Sequence, residues 1–202
     1  MALTIYGSPR SRTMRTLWIA EELGIEYRHV SVAWEDPWLK SDEFRRVNPF
    51  GAVPAIDHDG YCLGESLAIN LYLAKTFGSV GPEPLYPPDG AAEADAWRWT
   101  LWAQGHLEPW VRRDGGLPVY SGAALEVAMA EAQSALNQLD KALAHQDWLG
   151  GPRFTIADLN VACVLSPSRW APLQLDQHAR TYGWLQRCYG RPAARAVRER
   201  FA

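Results

Sequence analysis

Cysteine is scarce in this chain: 202 residues hold three, Cys62, Cys163 and Cys188. An odd number at wide, irregular spacing makes no disulfide framework, and no C-x-x-C is present. A reducing cytoplasm is the compartment this usage suggests. The five histidines form no H-x-x-x-H and no Cys/His cluster, so a metal site is not expected. Excess charge is lacking too. A net charge of −3 and a pI near 6.0 give no reason to expect nucleic acid or an anionic membrane as partner. No run of about 18 apolar residues exists, which excludes a spanning helix. The N-terminus, Met1-Ala2-Leu3-Thr4-Ile5-Tyr6, reaches a polar stretch too soon to read as a signal peptide.

What the chain has in excess is tryptophan: ten, of which seven lie at or after Trp97. Taken singly, each reads as core or interface packing before it reads as a ligand contact.

The first 78 residues alternate in type. Leu3-Thr4-Ile5-Tyr6 reads as a strand stopped by Gly7-Ser8-Pro9. Met14, Leu17, Trp18 and Ala20 share a helical face, with Gly24 placed to close the helix. Glu26 to Val32 is a β-rich second strand. Trp38 to Val47 is polar and less regular, and Asn48-Pro49-Phe50-Gly51 is loop chemistry. Residues 54–63 read as a hairpin turning at His58-Asp59-Gly60, and a helix follows from Ser66 to Phe77. A βαβ half plus a ββα half makes an α/β unit with a mixed, four-stranded sheet. Four prolines and two glycines make residues 80–90 a linker. Beyond it only helices are expected. One runs from Ala91 to about Arg113. The clearest carries Leu125, Met129, Ala132, Leu136, Leu139 and Leu143 in alternating steps of four and three. The expected organisation is therefore 1–79 α/β, 80–90 linker and 91–202 all-α.

Three features carry chemistry. The segment Ser8-Pro9-Arg10-Ser11-Arg12-Thr13-Met14-Arg15 opens the first helix. Unpaired N–H groups, the helix dipole and three arginines favour an anion there, or a thiol asked to become a thiolate. The chain supplies hydroxyls and no cysteine, so the thiol must arrive with a ligand. Ser11 can donate a hydrogen bond to its sulfur, or it merely caps the helix. Second, Val53-Pro54 precedes a hairpin strand. If that bond is cis, the Val53 N–H and C=O face outward, available to a peptide-like ligand. Third, Gly64-Glu65-Ser66 opens the next helix. Its N–H groups would hold a carboxylate, while Glu65 suits an ammonium. A zwitterionic amino-acid end satisfies both, although an acid that favours the helix dipole explains Glu65 as well.

A thiol, a peptide backbone and an α-amino acid end describe glutathione. In order, the Ser-containing helix start, Asn-Pro-x-Gly-x-Val-Pro, the hairpin and the Glu-Ser pair resemble the cytosolic glutathione transferases. So do the proline-rich linker and helical second half, so the resemblance spans nearly the whole chain. It implies a thioredoxin-like first domain, an all-helical second domain, a homodimer and glutathione as co-substrate. By position, Ser11 matches the catalytic serine of the serine-type classes, four residues before Arg15, with Ser8 as the competitor. Val53 and Pro54 match the backbone clamp, and Glu65 and Ser66 the γ-glutamyl site. Thr155-Ile156-Ala157-Asp158 resembles the family's capping box, a folding element. Two departures stand out. Ala52 replaces the Lys or Gln usual before Val-Pro, and Lys40 is the candidate substitute. The helix start lacks the cysteine of the thiol-transfer and lyase classes and the Ser-Ser-Cys of the isomerase class.

The resemblance further implies an electrophile site between the domains, for which Ser8, Arg10, Trp102, Trp110, Arg112 and Arg113 are candidates. The expected activity is conjugation of glutathione to small hydrophobic electrophiles. Glutathione-dependent peroxide or disulfide reduction is the alternative on the same site. A non-catalytic protein-interaction module is the alternative of another class.

Overall fold

The opening apolar run forms β1 (Leu3–Tyr6), buried along its whole length. β1 pairs in parallel with β2 (Arg28–Val30) and antiparallel with β3 (Ala55–His58), and β3 turns into β4 (Tyr61–Gly64). The sheet is four-stranded in the order β2-β1-β3-β4 and mixed, as the sequence leads one to expect. β2 is shorter than the 26–32 stretch because only Arg28, His29 and Val30 find partners on the short β1. These statements come from a computed structural model that describes residues 2–79, 84–88, 90–114, 117–169 and 172–201.

Helix α1 (Thr13–Leu23) buries Leu17, Trp18, Ile19 and Ala20 and ends at Gly24, whose φ of 62° suits a residue without Cβ. The irregular 38–47 stretch holds a 3₁₀ turn, Pro37–Lys40, and a one-turn helix α2 (Asp42–Arg45) capped by the Ser41 hydroxyl. Helix α3 (Ser66–Phe77) packs along α1. Alternation along the strands divides the core. Ile5 and its partner Ile56 are fully buried. Tyr6 and its partner Ala55, on the other face, pack with Leu39 and Phe44.

The second region is helical, with α4 (Ala91–Trp102), α5 (Gly122–Ala142), α6 (Ile156–Val164) and α7 (Ala179–Tyr189). The helix expected over 91–113 is shorter than its periodicity suggests. After Trp102 it widens into a π-helical turn, Ala103–Leu107, in which Glu108 N–H reaches the Ala103 carbonyl at 2.8 Å. Pro109 then removes the next donor, and its ring would collide with the Gly105 carbonyl of a regular α-helix. Two short strands follow, β5 (Arg113–Asp114) and β6 (Leu117–Pro118), an exception in an otherwise helical region. α5 forms as its heptad-like spacing predicts, burying Ala128, Ala132, Ala135, Leu136 and Leu139. At the start of α6, Thr155 and Asp158 make the reciprocal capping box. Asp158 also accepts from Leu149 N–H at 2.7 Å and Trp184 Nε1–H at 2.8 Å. Burial pushes the Asp158 carboxyl up, against the pull of these donors.

By its contacts the chain divides into two units, Met1–Tyr86 with Arg191–Ala202, and Pro87–Gly190. The last helix, α8 (Pro192–Arg200), falls in the stretch expected to be part of the helical domain, and it packs on α1 of the first unit. Arg191 pairs with Glu22, and Arg200 with Glu21. Of the expected linker, residues 80–83 and 89 lie outside the described ones. Leu85 and Tyr86 are buried, and Tyr86 N–H bonds Gly78 O at 3.0 Å. Among the described residues no helix is long and apolar enough to cross a membrane.

Candidate functional site

The turn between β1 and α1 is built by hydroxyl bonds within itself. Ser11 N–H and Ser11 Oγ–H both donate to the Ser8 carbonyl, at 2.9 and 2.7 Å. Ser11 Oγ accepts from Thr13 N–H at 3.1 Å and lies 2.9 Å from Thr13 Oγ1. As it stands, Ser11 braces the turn one residue ahead of the α1 N-cap, Arg12. Its single proton must leave the Ser8 carbonyl before it can be given to a ligand. Ser8 Oγ accepts from Arg10 N–H at 3.2 Å, and among the described residues its own proton meets no acceptor. Both serines are half-buried, while Arg10 and Arg12 are exposed.

Arg15 does something the helix-start reading did not foresee. It is only 5% exposed and turns inward, and its Nη1 donates to Ser66 Oγ at 3.3 Å. That bond joins the first turn of α1 to the first residue of α3. Ser66 is buried, whereas Glu65 beside it is exposed and holds φ 66°, ψ 106°. A non-glycine residue seldom occupies φ above zero, and such positions collect at functional sites. The acid therefore points outward from an unusual backbone, next to a helix start backed by a buried guanidinium.

The Val53–Pro54 peptide bond is cis. Asn48, which is 4% exposed, braces the loop before it. Its Nδ2 donates to Ala52 O at 2.7 Å, and its Oδ1 accepts from Phe50 N–H at 3.2 Å. Asn48 also fills the space beside Gly64, where an added Cβ would come within 2.9 Å of Nδ2. One amide thus holds the loop before Val53 against the strand end before Glu65. Lys40 is engaged in the same loop, donating to Gly51 O at 2.8 Å and Phe50 O at 3.4 Å. Gly51, at φ 58°, approaches the Leu39 carbonyl so closely that a Cβ would lie 2.4 Å away. Gly7 is wedged in the same manner: a Cβ there would meet Thr13 Oγ1 at 2.1 Å and Val53 Cβ at 2.8 Å. The end of β1, the start of α1 and Val53 are therefore mutually fixed.

Ser8, Arg10, Ser11, Lys40, Val53, Pro54, Glu65 and Ser66 all belong to the first unit, and Trp102, Trp110, Arg112 and Arg113 to the second. Trp102 Nε1–H donates to Gln138 Oε1 at 3.3 Å and its ring meets Trp99 edge-on. Trp110 lies against Tyr120, with ring centroids 6.2 Å apart, and Arg112 is exposed. Arg113 is on β5, with its side chain outside the described part. Asn48, Thr13 and the inward role of Arg15 were missed by the sequence reading. Asn-Pro-x-Gly was visible as loop chemistry, and a buried Asx side chain is the one signal in it that pointed to bracing. Among the described residues no group of three or more His, Cys, Asp or Glu is placed to hold a metal ion.

Residues 1–75 match the family model "Glutathione S-transferase, N-terminal domain", and residues 108–201 match "Glutathione S-transferase, C-terminal domain". The chain is 31% identical to mouse (Mus musculus) glutathione S-transferase theta-1 over 93% of its own length and 82% of that protein. It is 30% identical to elongation factor 1-gamma-A of Xenopus laevis over 96% of its own length, but spans 46% of that longer protein. A theta class glutathione S-transferase of Xanthomonas axonopodis pv. citri, solved with glutathione bound, superposes with a TM-score of 0.82 at 28% identity, covering 97% of this chain and 96% of that one.

Proposed function

The chain belongs to the glutathione S-transferase family, and from that premise we propose that it binds glutathione in its first unit and transfers the thiolate to a small hydrophobic electrophile. The observation that carries this reading is the Arg15–Ser66 bond beside Glu65. A buried guanidinium and the α3 N-terminus favour a carboxylate, and the outward Glu65 favours an ammonium. In this reading Glu65 and Ser66 hold the γ-glutamyl end, and the backbone at Val53 and Pro54 pairs with the cysteinyl unit. Lys40 takes the polar place that Ala52 leaves empty. Ser11 then donates to sulfur. A thiolate is a charged acceptor, and hydrogen bonds to charged acceptors are about twice as strong as neutral ones, which favours exchange of the Ser8 carbonyl for the sulfur. Rate gain comes from thiolate stabilisation and proximity. Ser8 and Arg10 border the open side of this turn.

The protein works in this reading as a cytoplasmic homodimer. Phe50 and Tyr61 on the first unit, and Trp97 with Leu101 one turn apart on α4, are large apolar side chains left exposed, and they suit an isologous contact. Light scattering at micromolar concentration is expected to give twice the 22.6 kDa chain mass; a single-chain mass removes the dimer.

The test of the activity is retention on immobilised glutathione followed by conjugation to chlorodinitrobenzene, seen as a new thioether absorbance. Retention with conjugation supports the transferase. Failure to bind glutathione favours the non-catalytic protein-interaction module.

A further inference from the structure

His29 lies on the edge strand β2, away from every residue assigned above, yet its ring reaches the active-site turn. Its Nε2 is 2.8 Å from the Gly7 carbonyl. A carbonyl oxygen only accepts, so Nε2 carries the hydrogen. Gly7 is then held from each direction: its N–H donates to Val30 O at 2.9 Å, its carbonyl receives His29, and its α-carbon abuts Thr13 and Val53. The next residue is Ser8, whose carbonyl receives both bonds from Ser11.

The other side of the imidazole is covered by the end of the chain's last helix. The Phe201 ring meets His29 edge-to-face, with centroids 5.2 Å apart and planes at 80°. Phe201 follows α8 and donates its N–H to Val197 O at 3.2 Å. The Arg191–Glu22 and Arg200–Glu21 pairs fasten α8 to α1. His29 and Phe201 form one wall of an open cleft of about 660 Å³ shared with Glu21, Tyr27 and Arg200. In that cleft Glu21 receives Tyr27 Oη–H at 3.0 Å and pairs with Arg200, while Glu26, on the same rim, is exposed to water.

We propose that His29 is a positioning residue for the thiolate site. Its Nε2–H fixes the Gly7 carbonyl, and through Gly7 the Ser8–Ser11 turn, in the register that brings the Ser11 hydroxyl to sulfur. Phe201 keeps the imidazole in that rotamer. The last helix thus acts on the chemistry without touching a substrate. The catalytic half of this inference rests on the glutathione reading; the holding of the turn does not.

The experiment compares full-length His29→Leu, His29→Gln and Phe201→Ala with wild type. Three quantities are read: amide exchange of the 7–12 segment without ligand, the absorbance titration of the bound thiol, and kcat against KM for glutathione. His29→Leu is expected to speed exchange in the turn and raise the pKa of the bound thiol. It should lower kcat about tenfold with little change in KM, less than the roughly hundredfold that a 1 Å misplacement can cost. His29→Gln, whose amide N–H can reach the same carbonyl, is expected to restore most of this. Phe201→Ala should move all three readouts in the His29→Leu direction, by less. Unchanged exchange and titration in His29→Leu overturn the proposal, as does a His29→Gln protein impaired as much as His29→Leu. Should His29→Leu fail to fold, Phe201→Ala decides: turn exchange equal to wild type overturns the proposal. If wild type binds no glutathione while His29→Leu still loosens the turn, the glutathione reading falls and the holding of the turn by His29 stands.

Discussion

Arg15 Nη1 donates to Ser66 Oγ at 3.3 Å, and with that bond the start of α1 is tied to the start of α3. Both residues are buried, so the bond acts where water does not compete. Arg15→Ala leaves Ser66 without its donor and removes a positive charge behind the proposed carboxylate site. Glutathione affinity is expected to fall by about 1–3 kcal/mol, the range for losing a charged hydrogen-bond partner. Calorimetry checks it, and an affinity equal to wild type removes Arg15 from the site.

Glu65 sets binding against backbone comfort. Glu65→Ala is expected to weaken glutathione binding by about 1–3 kcal/mol while keeping the φ of 66° unfavourable. Glu65→Gly should weaken binding similarly and raise the melting temperature, since residues held in sparsely populated regions cost on the order of 1–3 kcal/mol that glycine avoids. A Glu65→Gly protein that melts below wild type contradicts the strain argument.

The two serines separate by titration. Ser11→Ala should raise the apparent pKa of bound glutathione and cut turnover at neutral pH with little loss of affinity, because the hydroxyl favours the thiolate over the thiol. Ser8→Ala should leave the thiolate absorbance curve in place. If only Ser8→Ala shifts it, the uncommitted Ser8 proton is the donor. If neither does, backbone N–H groups and the arginines hold the thiolate.

Asp140, near the end of α5, caps α7 from outside. Its Oδ1 accepts from Arg180 N–H and Thr181 N–H, each at 3.0 Å, and Arg180 Nη1 lies 3.3 Å from Oδ2. Burial acts to raise the Asp140 carboxyl, but these donors together outweigh it and hold its pKa below the ordinary carboxylate value. A carboxyl depressed in the folded state stabilises fully above its unfolded pKa of about 3.9 and loses that contribution as pH falls through the folded value. Asp140→Asn should therefore be less stable than wild type at neutral pH by about 1–2 kcal/mol, the cost of a damaged cap. The difference should shrink as acid is added below about pH 4. Urea unfolding at several pH values measures it, and a difference independent of pH contradicts the assignment.

The elements with strong local signals were legible in the sequence. β1 was marked by its apolar run, α1 by Gly24, α5 by its spacing and α6 by Thr155 and Asp158. Helix 91–113 was over-read because neither the π-helical turn after Trp102 nor the stop at Pro109 was weighed against the aromatic spacing before them. Lys40, Ser11 and Glu65 were nominated through order and type, which say nothing of the residues beside them. Asn48 reaches Ala52 by a side-chain bond, and Arg15 reaches Ser66 across 51 positions. No pattern in one segment reports what another segment will place beside it. The same holds for α8: its amphipathic sequence announces a helix, not that α1 is its neighbour.

The return of α8 to the first unit makes the helical unit an insertion between two parts of its companion. Mechanically, that is a shielded position. Tension entering the chain ahead of β1 and leaving beyond α8 is borne first by the first unit, through the sheet, α1 and the Arg191–Glu22 and Arg200–Glu21 pairs. The helices between Pro87 and Gly190 carry no load until α8 has been peeled from α1. A pulled molecule should lengthen first by loss of the unit that holds the proposed glutathione site, and only then by unravelling of the inserted helices.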